Sequence, residues 1–167
     1  MRNSTRDQFN DLLRSEGLNA GIIPVSNIPN EESRLNEVNR LGILNRDLDQ
    51  EAQYNALTQL AAIITKSQIG LINILGSNIQ QCKTNFGFNV LESTLTEEMP
   101  REISICQYSL ASPHEPLIIN DLFLDERTKH FKKLEAYENL RFYAGSPLIS
   151  SRAVSYTHLT LPTMAIV

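Results

Sequence analysis

The run Ile69-Gly70-Leu71-Ile72-Asn73-Ile74-Leu75 is apolar at both alternating sets of positions. A strand of that kind is stable only with cover on both faces, so it predicts a central strand with structure packed above and below it. Gly76-Ser77-Asn78 supplies turn residues, and Ile79 to Phe86 returns as a more polar strand, so the two predict a β-hairpin.

The flanking text is helical. Leu35, Val38, Leu41 and Leu44 recur at near-helical spacing from Glu31 onward, with Arg34, Asn36, Glu37, Asn39 and Arg40 on the other faces. Asp47 and Asp49 offer N-caps for a second helix, with Gln50 placed as in a capping box. Its buried stripe is expected to be Leu57, Leu60, Ala61 and Ile64, with Lys66 at the C-terminal end. After the hairpin, Phe88 to Arg101 lacks a clear period and predicts a long surface loop. Glu102 to Ala111 predicts a short helix, Leu117 to Asn120 a short buried strand, and Asp121 to Asn139 a charged helical or loop segment. Arg141 to Leu148 then opens a further strand. Two helices, a hairpin, a helix and two more strands make an α+β layered domain with an antiparallel sheet. Residues 1–30 stand apart as an arm and linker: a short helix carrying Phe9, Leu12 and Leu13 stops at Gly17, and Asn19 to Pro29 is rich in proline and small polar residues.

At 167 residues, 41% of them hydrophobic and 20% charged, the chain has the composition of one globular domain. Its net charge of −4 provides no basic face for nucleic acid; Lys132 and Lys133 are a pair, not a stripe. No apolar run approaches the roughly 20 residues that span a bilayer, and no signal-peptide core follows Met1, so a cytoplasmic location without membrane contact is expected. Cys82 and Cys106 are too few for a disulfide framework or a four-ligand zinc site. His114 and His130 have no second ligand at helical spacing and are expected to be exposed polar residues, so no metal site is predicted.

Three segments in order carry a resemblance. REISICQYSL is similar to the REISFCAHAI segment of sensor GAF domains, LIINDLFLDER to LVVPDATLDPRF, and RFYAGSPL to RFYAGAPL. The opening helices, ESRLNEVNRLGILNRDLDQEAQYNALTQLAA, also resemble that family, and the likeness covers about residues 32–149. The resemblance implies a bacterial signalling GAF domain over 31–152. It is incomplete, because the Gly-Leu-Gly-Thr-Leu-type turn, the last strands and the closing helix are missing. Val154 to Thr163 carries no Lys, Arg, Asp or Glu and resembles one translated frame of a sequencing-library adapter, so 153–167 is taken as a non-native tail. In family terms the missing fifth strand lies beside the first, which predicts an open edge along Ile69–Leu75 and a marginal, aggregation-prone fragment.

The same resemblance implies a ligand pocket lined by Cys106, Asp121, Arg141 and Tyr143. The residues themselves favour quieter roles: Cys106 as a small core hydrophobe, Asp121 as a helix cap, Asp125 and Arg127 as an exposed pair. Neither cysteine precedes a histidine, as chromophore-attaching GAF domains require, and the cyclic-nucleotide signature is absent. A Cys82–Cys106 pairing suggests the free methionine sulfoxide reductases, yet the Gly-Val-Cys-Gly setting of that branch is missing too. With no Ser/His/Asp set or phosphate loop, no catalytic residue and no cofactor are predicted. The expectation is a non-catalytic sensor that binds a small molecule and controls an output domain, a histidine kinase of a two-component system or a cyclic-dinucleotide synthase, as a homodimer through its flanking helices. The alternative is a ligand-free dimerisation module using Leu35, Val38 and Leu41.

Overall fold

The double-sided apolar strand does lie inside a sheet. In the computed structural model, which describes residues 2–45, 52–87, 98–134, 140–150, 155–160 and 163–164, it is strand β1, Gly70–Leu75. β1 pairs antiparallel with β2, Ile79–Phe86, closing the predicted hairpin, with a register shift at Ile72/Asn73. Three further strands complete this part of the sheet: β3 (Glu98–Pro100), β4 (Leu117–Ile119) and β5 (Leu140–Ile149). β3 pairs with the start of β2, so the end of the predicted surface loop is in fact a sheet edge; residues 88–97 lie outside the described residues.

The expected open edge of β1 is closed. Ser155–Thr160 forms strand β6, which pairs antiparallel with β1 on one side and β5 on the other. The strand order is β3-β2-β1-β6-β5-β4, and the two residues of β7 (Thr163–Met164) pair with β5. The reason is that ladder bonds join backbone N–H to backbone C=O, so any extended segment of sufficient length satisfies the orphan groups of a central strand.

Helices α1 (Arg2–Ala20), α2 (Glu31–Leu41) and α3 (Ala52–Thr65) account for the helical text. Asp47, Asp49 and Gln50, the expected caps of α3, lie outside the described residues. α2 packs Val38 against Ile74 and Ile43, with Leu41, Leu44 and Tyr54 around them. The buried face of α3 differs from the predicted stripe. Thr58 and Ala62 are buried, while Leu57, Leu60, Ile63 and Ile64 are exposed. A close approach of helix to sheet selects the small face: a Cβ on Gly70 would stand 2.8 Å from the Thr58 carbonyl oxygen, and the Thr58 and Thr84 hydroxyls share a hydrogen bond.

The main core lies on the other side of the sheet. Ile103, Ile105, Cys106, Leu110, Leu122 and Phe131 pack there with Leu75 and Tyr143. They come from short 3₁₀ helices, Arg101–Ile103, Ile105–Ala111 and Lys129–Lys133, and from the turns between them. The arm joins this layer. α1 continues through Gly17 to Ala20, and Ile22 beyond it is buried in the core at 3% exposure, so residues expected to be a linker are packed. His130, expected to be exposed, is half-buried with its ring against Gly21. His114 is exposed as predicted.

Candidate functional site

Tyr143 of β5 turns to the core side of the sheet, while Arg141 lies where the β5 pairing is irregular, between Leu140 and Phe142. The Ile105–Ala111 helix lies over that side and brings Cys106 onto it. The Tyr143 hydroxyl donates to Cys106 Sγ at 3.2 Å, and the Asn73 side-chain amide of β1 approaches the same sulfur at 3.5 Å. All three side chains are buried. Burial pushes the Cys106 thiol up to about 11, outweighing the lowering by its hydrogen bonds from Tyr143 and Asn73. The sulfur is therefore a protonated, polarisable packing group at neutral pH, the opposite of an activated thiolate. Ser109 Oγ donates to the Cys106 carbonyl at 2.6 Å and fixes the turn that carries it.

Arg141 and Asp121 form a second group beside the first. Arg141 Nε donates to Asp121 Oδ1 at 3.1 Å, its second fork nitrogen donates to Oδ2, and the guanidinium stands 4.9 Å from the centre of the Phe123 ring. Asp121 also accepts the Phe123 N–H at 2.9 Å. The Arg141 hydrogen bond, then the Phe123 N–H, holds the Asp121 carboxyl below the usual carboxylate range, and Asp121 in turn raises Arg141. Asp121 therefore caps a turn instead of a helix, because a run of turns follows it. Asp125 and Arg127 form the expected pair, at 2.6 Å.

The four predicted site residues thus form two couples: Cys106 with Tyr143 buried, Asp121 with Arg141 nearer the surface. Sequence reasoning missed Asn73, although it alone interrupts an apolar central strand, and a buried amide demands partners. It also missed Gln107 and Tyr108, which reach the arm: the Val25 N–H donates to Gln107 Oε1 at 2.8 Å, and the Tyr108 hydroxyl donates to the Ile23 carbonyl at 3.2 Å. Burial pushes the Tyr108 phenol up to about 12. Among the described residues no group of three His, Cys, Asp or Glu is placed to hold a metal ion, and no helix is long and apolar enough to cross a membrane.

No family model matches the chain. Among solved structures it is similar to the GAF domain region of a Geobacter sulfurreducens PCA protein, at 17% identity and TM-score 0.55, over 75% of this chain and 83% of that one. It is also similar to the GAF domain of an Acinetobacter phosphoenolpyruvate-protein phosphotransferase (14% identity, TM-score 0.52, 84% of this chain, 79% of the other). A third likeness is to a type II free methionine-R-sulfoxide reductase from Thermoplasma acidophilum (12% identity, TM-score 0.53, 70% and 77%). Among curated proteins, a cyclic di-GMP phosphodiesterase of Pseudomonas aeruginosa is 26% identical over 125 residues, 75% of this chain. The chain spans 20% of the length of that relative.

Proposed function

We propose that this chain, which has the fold of GAF domains, is a regulatory sensor module. It takes a small molecule at the Cys106–Tyr143 and Asp121–Arg141 couples, and it controls an attached output domain. The observation that carries the proposal is the Asn73–Cys106–Tyr143 cluster: two buried side chains donating to one buried sulfur, with a charged couple formed by Arg141, also on β5. Binding sites combine apolar lining with a few convergent polar groups in this way. A ligand that prefers one of two arrangements of the Ile105–Ala111 helix shifts their populations, and the flanking helices carry that shift outward.

The likeness to a cyclic di-GMP phosphodiesterase supports an output in cyclic-dinucleotide turnover, with a hydrolase as fitting a partner as the expected synthase, and ahead of a histidine kinase. Residues 31–152 form the sensor body in this proposal. Within 153–167, Ser155–Thr160 supplies a strand through backbone pairing that is indifferent to its origin. The module itself is non-catalytic and cytoplasmic: the raised Cys106 thiol supports packing over methionine sulfoxide reduction. A ligand screen by thermal shift, repeated on Tyr143→Phe and Arg141→Gln, tests the site. A ligand that stabilises the parent chain and all variants equally would place binding elsewhere.

A second reading has its own observation. The exposed stripe Leu57, Leu60 and Ile64 on α3 follows a three-then-four spacing, and no charged residue occurs from Ala52 to Thr65. It suits homodimerisation better than the expected Leu35, Val38 and Leu41, since Val38 is buried in the protomer's own core and Leu41 packs against it. Sedimentation of Leu60→Glu against the parent chain tests this reading; an unchanged dimer would refute the α3 seam.

A further inference from the structure

Residues 2–28 dock on the layer that carries Cys106, and they do so through two kinds of contact. The first is apolar and close. Ile22 is 3% exposed within the core, Leu13 and Ile28 pack against it, and Gly17 lies so near Arg101–Ile103 that a Cβ there would stand 2.3 Å from Ile103 Cγ2. The second is a polar seam that is poorly satisfied. Asn10 reaches Glu98 with its amide at 3.4 Å, but its own side-chain oxygen has no hydrogen-bond partner among the described residues. Arg14 and Glu102 stand 3.5 Å apart as an ion pair, without a hydrogen bond on either Arg14 Nε or Glu102 Oε2. The Arg14 and Glu102 side chains are 35% and 31% exposed, and ion pairs of that kind contribute roughly 0–1 kcal/mol, so the apolar contact carries the docking of α1.

Beyond α1 the arm ties itself to the site layer. Lys133 Nζ donates to the Ala20 carbonyl at 2.8 Å, at the end of α1 where a cation is favoured. Val25 and Ile23 then engage Gln107 and Tyr108, the two residues that follow Cys106. Gln107 spans both sides, since its Nε2 also donates to the Glu102 carbonyl at 2.5 Å. The Ile105–Ala111 helix is thus held from two directions, by the arm through Gln107 and Tyr108 and by the sheet through Cys106.

We propose that residues 2–28 are an internal strap whose docking holds the Ile105–Ala111 helix, and Cys106 with it, down on the sheet, so that undocking the strap opens the site. Its role as a gate for a ligand rests on the sensor proposal above; the strap itself does not. Gly17→Ala is a selective lever, because alanine favours the α1 helix while its methyl meets Ile103. Ile22→Asp is the second lever, removing the apolar anchor.

The test uses the full chain carrying Cys82→Ser, so that Cys106 is the sole thiol. It follows thiol labelling by a maleimide together with amide hydrogen exchange in residues 22–28 and in β1. In both variants, residues 22–28 are expected to lose protection and Cys106 to label at least about tenfold faster, while β1 amides stay protected, as for a sub-global opening. Three results overturn the strap: residues 22–28 released with Cys106 still unreactive; Cys106 and β1 becoming exposed together, as in global unfolding; or residues 22–28 staying protected in both variants. A thiol reagent needs no natural ligand, so the strap can fail while the sensor proposal stands.

Discussion

Glu31→Gln is the substitution with the most closely derived cost. Glu31 Oε2 meets Arg34 Nε at 2.6 Å, and Oε1 meets Arg34 Nη2 at 2.9 Å and Arg101 Nη1 at 2.6 Å. Arg34 is 3% exposed, and its remaining donors go to the carbonyls of Leu75 and Gly76; Arg101 reaches the Gly76 carbonyl as well. One carboxylate thus neutralises two guanidinium groups and buckles α2 and the Arg101–Ile103 helix onto the β1–β2 turn. Removing one partner of a buried pair costs about 3–5 kcal/mol. The Glu31 side chain is 25% exposed and glutamine keeps one acceptor, so about 2 kcal/mol is the expected loss here. With a urea slope of about 1–3 kcal/mol per molar, the unfolding midpoint should fall by about 1 M. Exposed Glu32→Gln is the control. A shift within the roughly 0.5 kcal/mol typical of surface substitutions would refute the claim that Glu31 supports a buried cation. Burial alone raises the Glu31 carboxyl, but the hydrogen bonds and charges of Arg34 and Arg101 carry it below its ordinary value. Stability from this group is therefore full above the unfolded carboxylate range near pH 4 and lost as pH falls through the lower folded value. Glu31→Gln should flatten that acid slope.

Asp121 has the same sign: Asp121→Asn should remove stability at neutral pH and little of it in acid, seen as converging urea midpoints as pH drops below about 4. Tyr143→Phe should cost about 1 kcal/mol and move the Cys106 thiol further up in a thiolate absorbance titration, since the lost bond lowers it; a downward move would contradict the geometry. Gly87→Ala should cost at least about 1–3 kcal/mol in thermal or urea unfolding, because φ is +79° and the new methyl would stand 1.9 Å from the Gln68 carbonyl oxygen. Ending the chain before Ser155 should unpair β1 and β5 and raise the aggregated fraction in light scattering relative to the parent chain; an unchanged profile would mean that β6 is dispensable.

The β1–β2 hairpin, β4, β5, α2 and the 105–111 helix were legible because period and turn chemistry are local properties, as Gly76-Ser77-Asn78 illustrates. The inner face of α3 was not. Leucine outranks threonine on any hydrophobic scale, but the fit of Gly70 beneath Thr58 is a tertiary contact that no window contains. The docking of residues 20–28 escaped for a related reason: their partners Gln107, Tyr108 and Lys133 lie 82 to 113 positions away. At the site, Tyr143 and Cys106 were named from resemblance, whereas Asn73 could have been found from its chemistry alone. The closing of β1 by Ser155–Thr160 was hidden because backbone pairing leaves little mark on side-chain identity.

That late-joining strand also bears on how the molecule assembles. β6 sits between β1 and β5, so the sheet is two halves, β3-β2-β1 and β5-β4, with the sixth strand to emerge from the ribosome as their seam. The hairpin half closes through near neighbours and can form early. The join must wait for residues more than eighty positions downstream of Leu71–Ile74. Non-local pairing of this kind slows folding and leaves strand edges bare in the interval, so chaperone demand during synthesis should be set by this one seam.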